Sequence, residues 1–340
     1  MKKVAVFFGG PGSEYEVSLH STVSVLQYAP NSYQFLLVGV TKEGLWLLGD
    51  YSIEEIEQDT WQLNQTAQQV IPSFSGKKCL IQIGNQKEIA IDCVLNMIHG
   101  SYGEDGSLSA LLQIAAIPTI GSGLESSSIC FDKEIVHRLF CNTVVEMANY
   151  QVIYQNQKHS IETILEKTSF PFIVKPAREG SSYGVHLVKN KEEYQSAIED
   201  AFHYDSKVVI EEYVKGVELG CAVLETEEKL ITGEIDQISL SRPVFDYEAK
   251  YEMVDAEILC PAPIEEGIKE KVKQQALYIF KQLECKDLAR IDFFLTEDGR
   301  ILLNEINTIP GFTNHSRFPN MFAKSGISFP HLIELLIEGS

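Results

Sequence analysis

The stretch ARIDFFLTEDGRILLNEINTIPG, residues 289–311, reads as a β-hairpin, and the arrangement of the rest of the chain follows from it. Two apolar runs flank Asp298 and Gly299, a dipeptide favoured in two-residue type I′ turns. With those two residues as the loop, Glu297 pairs with Arg300, Asp292 with Glu305 and Arg290 with Asn307. Arg290, Asp292, Glu305 and Asn307 then share one sheet face. Directly opposed residues hold their Cβ atoms roughly 5 Å apart, where like charges are destabilising unless something neutralises them. A hard divalent cation would do so. Asp, Glu and Asn offer only oxygen, a donor set suited to magnesium or manganese rather than zinc, and magnesium typically joins few carboxylates to substrate phosphates. The alternative is an exposed hairpin whose carboxylates splay into water.

Around this hairpin lies a chain of 340 residues, long for a single core, so two or three domains are expected. With 44% hydrophobic and 22% charged residues it falls in the ordinary globular range. The 28 basic residues against 48 acidic ones give a formal charge of -20, which argues against a nucleic-acid backbone as partner. A nucleotide site would need its own local cations. Seven cysteines, at 79, 93, 130, 141, 221, 260 and 285, include no C-x-x-C pair, so free thiols in a reducing cytoplasm are expected. The apolar run after Met1-Lys2-Lys3 is only VAVFF and reads as a first strand rather than a targeting segment. No stretch approaches the roughly 20 apolar residues of a membrane span.

The order of elements predicts α/β followed by α+β architecture. Residues 4–8 form a strand, GGPGSEYEVS turns into a helix over 17–28, and FLLVGV (35–40), VLNMI (94–98) and IPTIG (117–121) supply further strands, with a helix over 108–116. That alternation implies a mostly parallel, helix-covered sheet. GSGLESSS (121–128) is a first domain boundary. A helix over 131–147, strand FPFIVKP, loop REGSSYG, strand VHLVK, a helix over 192–202 and strand KVVIEEY make a second unit. Strands from Gly220, a polar loop at 241–252, an amphipathic helix over 264–283, the hairpin and a closing helix over 331–337 complete the chain.

Several positions carry chemistry by type and spacing. Gly9, Gly10 and Gly12 open a helix, but Tyr15 spoils the dinucleotide fingerprint, leaving a helix start with Ser13, Glu14 and Ser18 that either attracts ions or is simply capped. Lys175 precedes Gly180-Ser181-Ser182-Tyr183-Gly184, where amides and hydroxyls cradle phosphate oxygens and lysine adds charge; a solvated glycine hairpin is the plainer reading. Glu211, Glu212 and Glu218 are carboxylates for a ribose or an adenine amino group, or surface residues. Arg290 with the Gly311 amide suits an anionic tetrahedral oxygen, and Ser316 with Arg317 suits a substrate carboxylate. His99 follows a strand end of the first sheet, where such folds place ligands.

Together these fragments resemble the D-alanine:D-alanine ligases of the ATP-grasp superfamily over essentially the full chain. GGPGSEYEVS, IHGSYGEDG, FDKE, FPFIVKPAREGSSYGV, IEEYVKGVE, DYEAKY and RIDFF…NEINTIPGFT occur in order, and seven ordered blocks are far more specific than one. The resemblance implies an ATP-grasp fold of three domains: 1–125 binding substrate, 126–219 central, and 220–340 with the metal site and a lid loop. It implies two Mg2+ or Mn2+ ions on Asp292, Glu305 and Asn307, and ATP held by Lys133, Lys175, Gly180 and Ser182, with Glu211 at the adenine edge and Glu218 at the ribose. Glu14 receives the first D-alanine's ammonium, supported by Ser181 and Tyr251, and His99 lies near its carboxylate. Arg290 and Gly311 form the oxyanion site, while Lys250 and Ser316 face the second substrate, with Arg317 beside them. Partners are then small D-amino acids and ATP, with no nucleic acid and no membrane span, in a cytoplasmic homodimer serving peptidoglycan synthesis.

Two positions depart from the ordinary pattern. His137 stands where most relatives carry a second lysine, and Arg317 where leucine or methionine is usual; both resemble the vancomycin-resistance ligases that make D-alanyl-D-serine. Tyr251 in DYEAKY argues against D-lactate. The competing classes are an ATP-grasp enzyme on another carboxylate and a binding protein that has lost turnover. A nicotinamide oxidoreductase would need the fingerprint that Tyr15 breaks.

Overall fold

The computed structural model describes residues 1–240 and 256–339, which are built around three sheets. Strand Lys3–Gly9 is apolar along nearly its whole length because it is central, with parallel neighbours Gln34–Val40 and Cys93–Asn96; Thr119–Ile120 extends the parallel set. Trp46–Gly49, Gln68–Pro72, Cys79–Gln82 and Glu88–Ala90 add an antiparallel meander to the Gln34–Val40 edge, making eight strands. Sequence reading placed no strand between 41 and 93. The last three of these strands are short and partly exposed, so they carry little apolar alternation.

The second sheet is antiparallel, in the order Tyr150–Tyr154, Lys207–Glu212, Phe172–Pro176, His186–Val188. Helix Lys191–Tyr204, capped by the Asn190 side chain on the Glu193 amide (3.1 Å), lays Tyr194, Ala197, Ile198 and Ala201 against Phe172, Val174 and Ile210. The helix expected over 131–147 is shorter: only Lys133–Phe140 is helical, and Glu146–Met147 is a strand of the third sheet. Leu124–Phe131 occupies most of the glycine and serine stretch read as a boundary, and Lys133–Phe140 follows after a break at Asp132. Asp132 leaves helical geometry (φ -96°, ψ 99°) because its carboxylate caps the Ile135 amide at 3.2 Å.

The third sheet runs Ala256–Leu259, Asp236–Leu240, Gly216–Glu225, Leu288–Thr296, Ile301–Asn307, Glu146–Met147, with Leu230–Thr232 beside Gly216–Glu225. Helix Glu266–Gln282 buries Val272, Ala276, Ile279 and Phe280 on one face of it. On the other face Ala222, Leu224 and Leu288 share a core with Phe318, Phe322, Leu332 and Leu336 and with Val4, Val6 and Phe8 of the first sheet. This shared core brings the hairpin's end to the carboxyl end of the first sheet, where helix Tyr15–Tyr28 and the 97–106 loop begin. All seven cysteines are free thiols. Among the described residues no helix is long and apolar enough to cross a membrane.

Candidate active site

The hairpin forms through a different turn from the one expected. Thr296 N donates to Arg300 O and Gly299 N to Thr296 O, both at 3.0 Å, so the loop has three residues, 297–299. Only Gly299 is left-handed (φ +84°), whereas type I′ needs positive φ at Asp298 as well. That shifts the pairing by one residue, to Leu295 opposite Ile301. A bulge between Asp292 and Phe293 shifts it back, and Asp292 meets Glu305 while Arg290 meets Asn307. The two departures cancel.

The row continues across the sheet. Gly220 is in register with Asp292 on one side and with Asp236 on the other, so Asp236, Gly220, Asp292 and Glu305 lie abreast on four strands. Arg317 fills the space over the glycine: a Cβ on Gly220 would lie 2.4 Å from its Nη2. Its Nε and Nη2 donate to Asp236 at 2.9 and 2.8 Å, Nη1 donates to Glu218 at 3.1 Å, and Asp292 Oδ1 is 3.5 Å away. Arg317 therefore holds three protein carboxylates while it lines the cavity beside Ser316. Arg290 donates to both oxygens of Asp292 (2.8–3.0 Å) and Asn307 Nδ2 donates to Oδ2 at 3.1 Å.

The opposed acids are thus offset by guanidinium groups, and their like charge does not by itself require a cation. Among the described residues no three His, Cys, Asp or Glu side chains converge to hold a metal. What remains is the donor set: two carboxylates and an amide oxygen on one face fit an ion that completes its shell with phosphate oxygens and water.

Glu14 sits at the start of helix Tyr15–Tyr28, yet its side chain caps nothing there. It accepts instead from Ser181 Oγ in the glycine loop. The approach is close: a Cβ on Gly180 would lie 2.4 Å from Glu14 Oε2, and one on Gly100 2.8 Å, so either would displace the carboxylate from its present position. Ser181 and Ser182 are themselves left-handed (φ +46° and +59°), so the loop is held by its contacts rather than by intrinsic preference. Ser13 Oγ donates to Glu179 at 2.7 Å, and Lys133 Nζ to the Glu179 carbonyl at 2.7 Å. Burial lowers the Lys133 pKa.

Lys175 and Glu211, which sequence reading placed at opposite ends of a nucleotide, are an ion pair at 2.6 Å. His137 Nε2 is 2.7 Å from the other Glu211 oxygen and its ring stacks on Tyr150, with centroids 4.1 Å apart. Burial would push the Glu211 carboxyl up, but Lys175 and His137 outweigh it and hold it at about 2.

A cavity of about 320 Å³ gathers Glu14, His99, Gly180, Ser181, Arg290, Glu305, Asn307, Gly311, Ser316 and Arg317 on its wall. Lys133, Lys175, Ser182, Glu211, Glu218 and Asp292 do not line it. Lys250 and Tyr251 lie outside the described residues. Ser316 Oγ accepts from the Thr313 amide (3.0 Å) and contacts Thr313 Oγ1 (2.8 Å), closing the loop on itself. Glu104 also lines the cavity and was missed, although it stands inside IHGSYGEDG; its Oε1 is 3.6 Å from His99 Nδ1. Burial, helped by the charge of Glu14 and opposed by His99, raises the Glu104 carboxyl to about 7.

Comparison with known proteins finds one family along nearly the whole chain. The families described as D-ala D-ala ligase N-terminus and D-ala D-ala ligase C-terminus match residues 3–122 and 139–338. The vancomycin C-type resistance protein VanC2 of Enterococcus casseliflavus is 40% identical, covering 99% of this chain and 98% of its own. A D-alanine--D-alanine ligase of Oceanobacillus iheyensis is 38% identical, covering 99% and 94%. Among solved structures, the VanG D-Ala:D-Ser ligase from Enterococcus faecalis superposes with a TM-score of 0.90 at 37% identity, over 99% of this chain and 98% of that one. The Bacillus anthracis D-alanine--D-alanine ligase complexed with ATP gives 0.74 at 26%, over 100% and 97%. This chain belongs to the D-alanine–D-alanine ligase family.

Proposed function

We propose that this protein is an ATP-dependent carboxylate–amine ligase that joins two D-alanines, supplying the dipeptide for peptidoglycan precursors. The observation that carries the reading is the convergence of Glu14 on Ser181, Arg290, Glu305 and the Gly311 backbone in one cavity of about 320 Å³. A carboxylate oxygen of the first D-alanine attacks the γ-phosphorus of ATP, the bond to ADP breaks, and an acyl phosphate forms. The second amino acid's amine, having lost a proton, attacks the acyl carbon; the tetrahedral intermediate expels phosphate and leaves an amide. Glu14, fixed by Ser181, binds the first ammonium. Arg290 and the Gly311 amide stabilise the tetrahedral oxygen. Lys133, Lys175, Gly180 and Ser182 take the phosphates, Glu211 the adenine edge and Glu218 the ribose. Asp292, Glu305 and Asn307 would hold two Mg2+ or Mn2+ ions, which when bound offset phosphate charge. Lys250 and Tyr251 are assigned to the second substrate and to the support of Glu14.

The reading includes three domains, 1–125, 126–219 and 220–340, supported by the three sheets, and a homodimer working in the cytoplasm. A second reading, ligation of D-alanine to D-serine, is favoured by one feature: Arg317 locked to Asp236 beside Ser316 at the cavity wall. Phosphate release from ATP and magnesium, with D-alanine, D-serine, D-lactate and L-alanine offered singly and in pairs, separates the two. D-Alanine alone should suffice for the first reading, and a mixed pair preferred at low concentration selects the second. No release with any D-amino acid ends both.

A further inference from the structure

Helix Tyr15–Tyr28 buries an unusual face. Ser18, Ser21, Thr22 and Ser24 are all buried where a core-facing helix normally presents aliphatic side chains. Buried hydroxyls are costly unless hydrogen-bonded, so each should have a partner. Ser18 Oγ accepts from the Gly9 amide at 2.8 Å and Thr22 Oγ1 donates to the Ser18 carbonyl, both within the first sheet and its helix. Ser21 and Ser24 reach elsewhere. Ser24 Oγ accepts from Asn314 N at 2.8 Å, and Ser21 Oγ from Phe312 N at 3.4 Å. Ser21 Oγ also lies 2.9 Å from His99 Nε2, while His99 Nδ1 donates to the Ile309 carbonyl at 2.9 Å.

The segment held in this way, 309–316, carries Gly311. Its amides are used in a definite order. Phe312 and Asn314 donate to the two helix serines, Thr313 to Ser316 Oγ, and Ser316 to the Thr313 carbonyl; Pro310 has no N–H. Among the described residues the Gly311 amide donates to no protein group, and Gly311 lines the cavity. Both ring nitrogens of His99 are engaged by protein, so its function lies in what it holds rather than in a direct grip on a substrate carboxylate.

We infer that Ser21, Ser24 and His99 are positioning residues that tie the 309–316 loop to the first helix and so present the Gly311 amide to the tetrahedral oxygen. The inference rests on the ligase reading above. It separates the two half-reactions: acyl phosphate formation needs no oxyanion donor at Gly311, whereas amine attack does.

The test measures both steps in the full-length enzyme. Transfer of label between the bridging and non-bridging oxygens of ATP, driven by D-alanine before amine attack, reports the first step, and dipeptide formation reports the whole. Ser21→Ala should lower dipeptide turnover tenfold or more at saturating substrate, with label transfer within about threefold of the unsubstituted enzyme and the KM for ATP unchanged. Ser21→Thr, which restores the hydroxyl, should recover most of the loss. Ser24→Ala, which leaves His99 untouched, should show the same split to a smaller extent and serves if Ser21→Ala does not fold. Parallel loss of both steps, or dipeptide turnover within twofold of normal in both alanine variants, overturns the inference. No phosphate release and no dipeptide with the unsubstituted enzyme overturns the ligase reading and this inference with it; dipeptide formed without label transfer overturns the inference alone, since no separate first step then precedes amine attack.

Discussion

Replacing Arg317 with methionine fills much the same volume and removes the charge shared by Asp236, Glu218 and Asp292. Asp236 and Asp292 have no solvent exposure, so neither can be rehydrated without opening the sheet. Arg290 still offsets Asp292, but Asp236 loses the two charge-assisted bonds that pair it. Breaking a buried ion pair from one side typically costs about 3–5 kcal/mol, because a bare charge is left behind. For a chain of this size each kcal/mol moves Tm by roughly 2 °C, so the midpoint should fall by about 6–10 °C at neutral pH. Arg317→Lys should recover little, since one ammonium cannot reproduce the bidentate fork and a third contact. Asp236→Asn in the Arg317→Met background removes the bare charge and should regain part of the loss, a coupling visible in the double-mutant cycle. Thermal unfolding by circular dichroism of the four proteins decides it. A fall of less than 2 °C in Arg317→Met, or further destabilisation on adding Asp236→Asn, would refute the view that the arginine neutralises this row.

Glu305→Gln keeps the shape of the hairpin while removing a carboxylate donor; turnover should drop at least a hundredfold with Tm within about 2 °C, and near-normal rates would discredit the metal assignment. A methyl at Gly180 would fall 2.4 Å from Glu14 Oε2 and must displace that carboxylate, so Gly180→Ala should raise the KM for the first D-amino acid tenfold or more; an unchanged amino-acid KM speaks against Glu14 as the ammonium site. Glu211 titrates near 2 rather than its ordinary 4.5, so its ionised form stabilises the fold fully above pH 4.5 and that contribution is lost as pH falls from 4.5 toward 2. The drop corresponds to ~3 kcal/mol. Glu211→Gln should flatten the decline in Tm between pH 5 and 3, and an identical decline in both proteins would show that this carboxylate does not drive it.

The hairpin was legible because its signals are local. Alternation at a period of two assigns Arg290, Asp292, Glu305 and Asn307 to one face whatever surrounds them. The turn was misjudged, since Asp298-Gly299 suits a two-residue loop as well as the end of a three-residue one, and the compensating bulge beside Asp292 has no mark of its own in the sequence. The helix over 131–147 was drawn too long: it begins where the Asp132 carboxylate caps the Ile135 amide and ends at Phe140, because Glu146–Met147 pairs as a strand with Leu302 and Leu303, a partner distant in the chain. The 46–90 meander was invisible because strands of three to five residues hold too few buried positions to register.

The chain's residues alone determined that a glycine turn follows the first strand and opens a helix, that acids oppose each other across a hairpin, and that lysine precedes a serine-rich loop, for these depend on neighbours within a few positions. Tertiary structure decided which charges meet. Asp236, Gly220 and Arg317 come from three distant segments, and nothing near any of them announces that a strand glycine leaves room for a guanidinium between two acids. Likewise the serines of the first helix read as weak amphipathicity until packing sets them under the 309–316 loop, some 290 residues away. Faces and turns are set by the short-range geometry of the backbone; partners are set by which faces the shared cores press together, and that is a property of the whole fold.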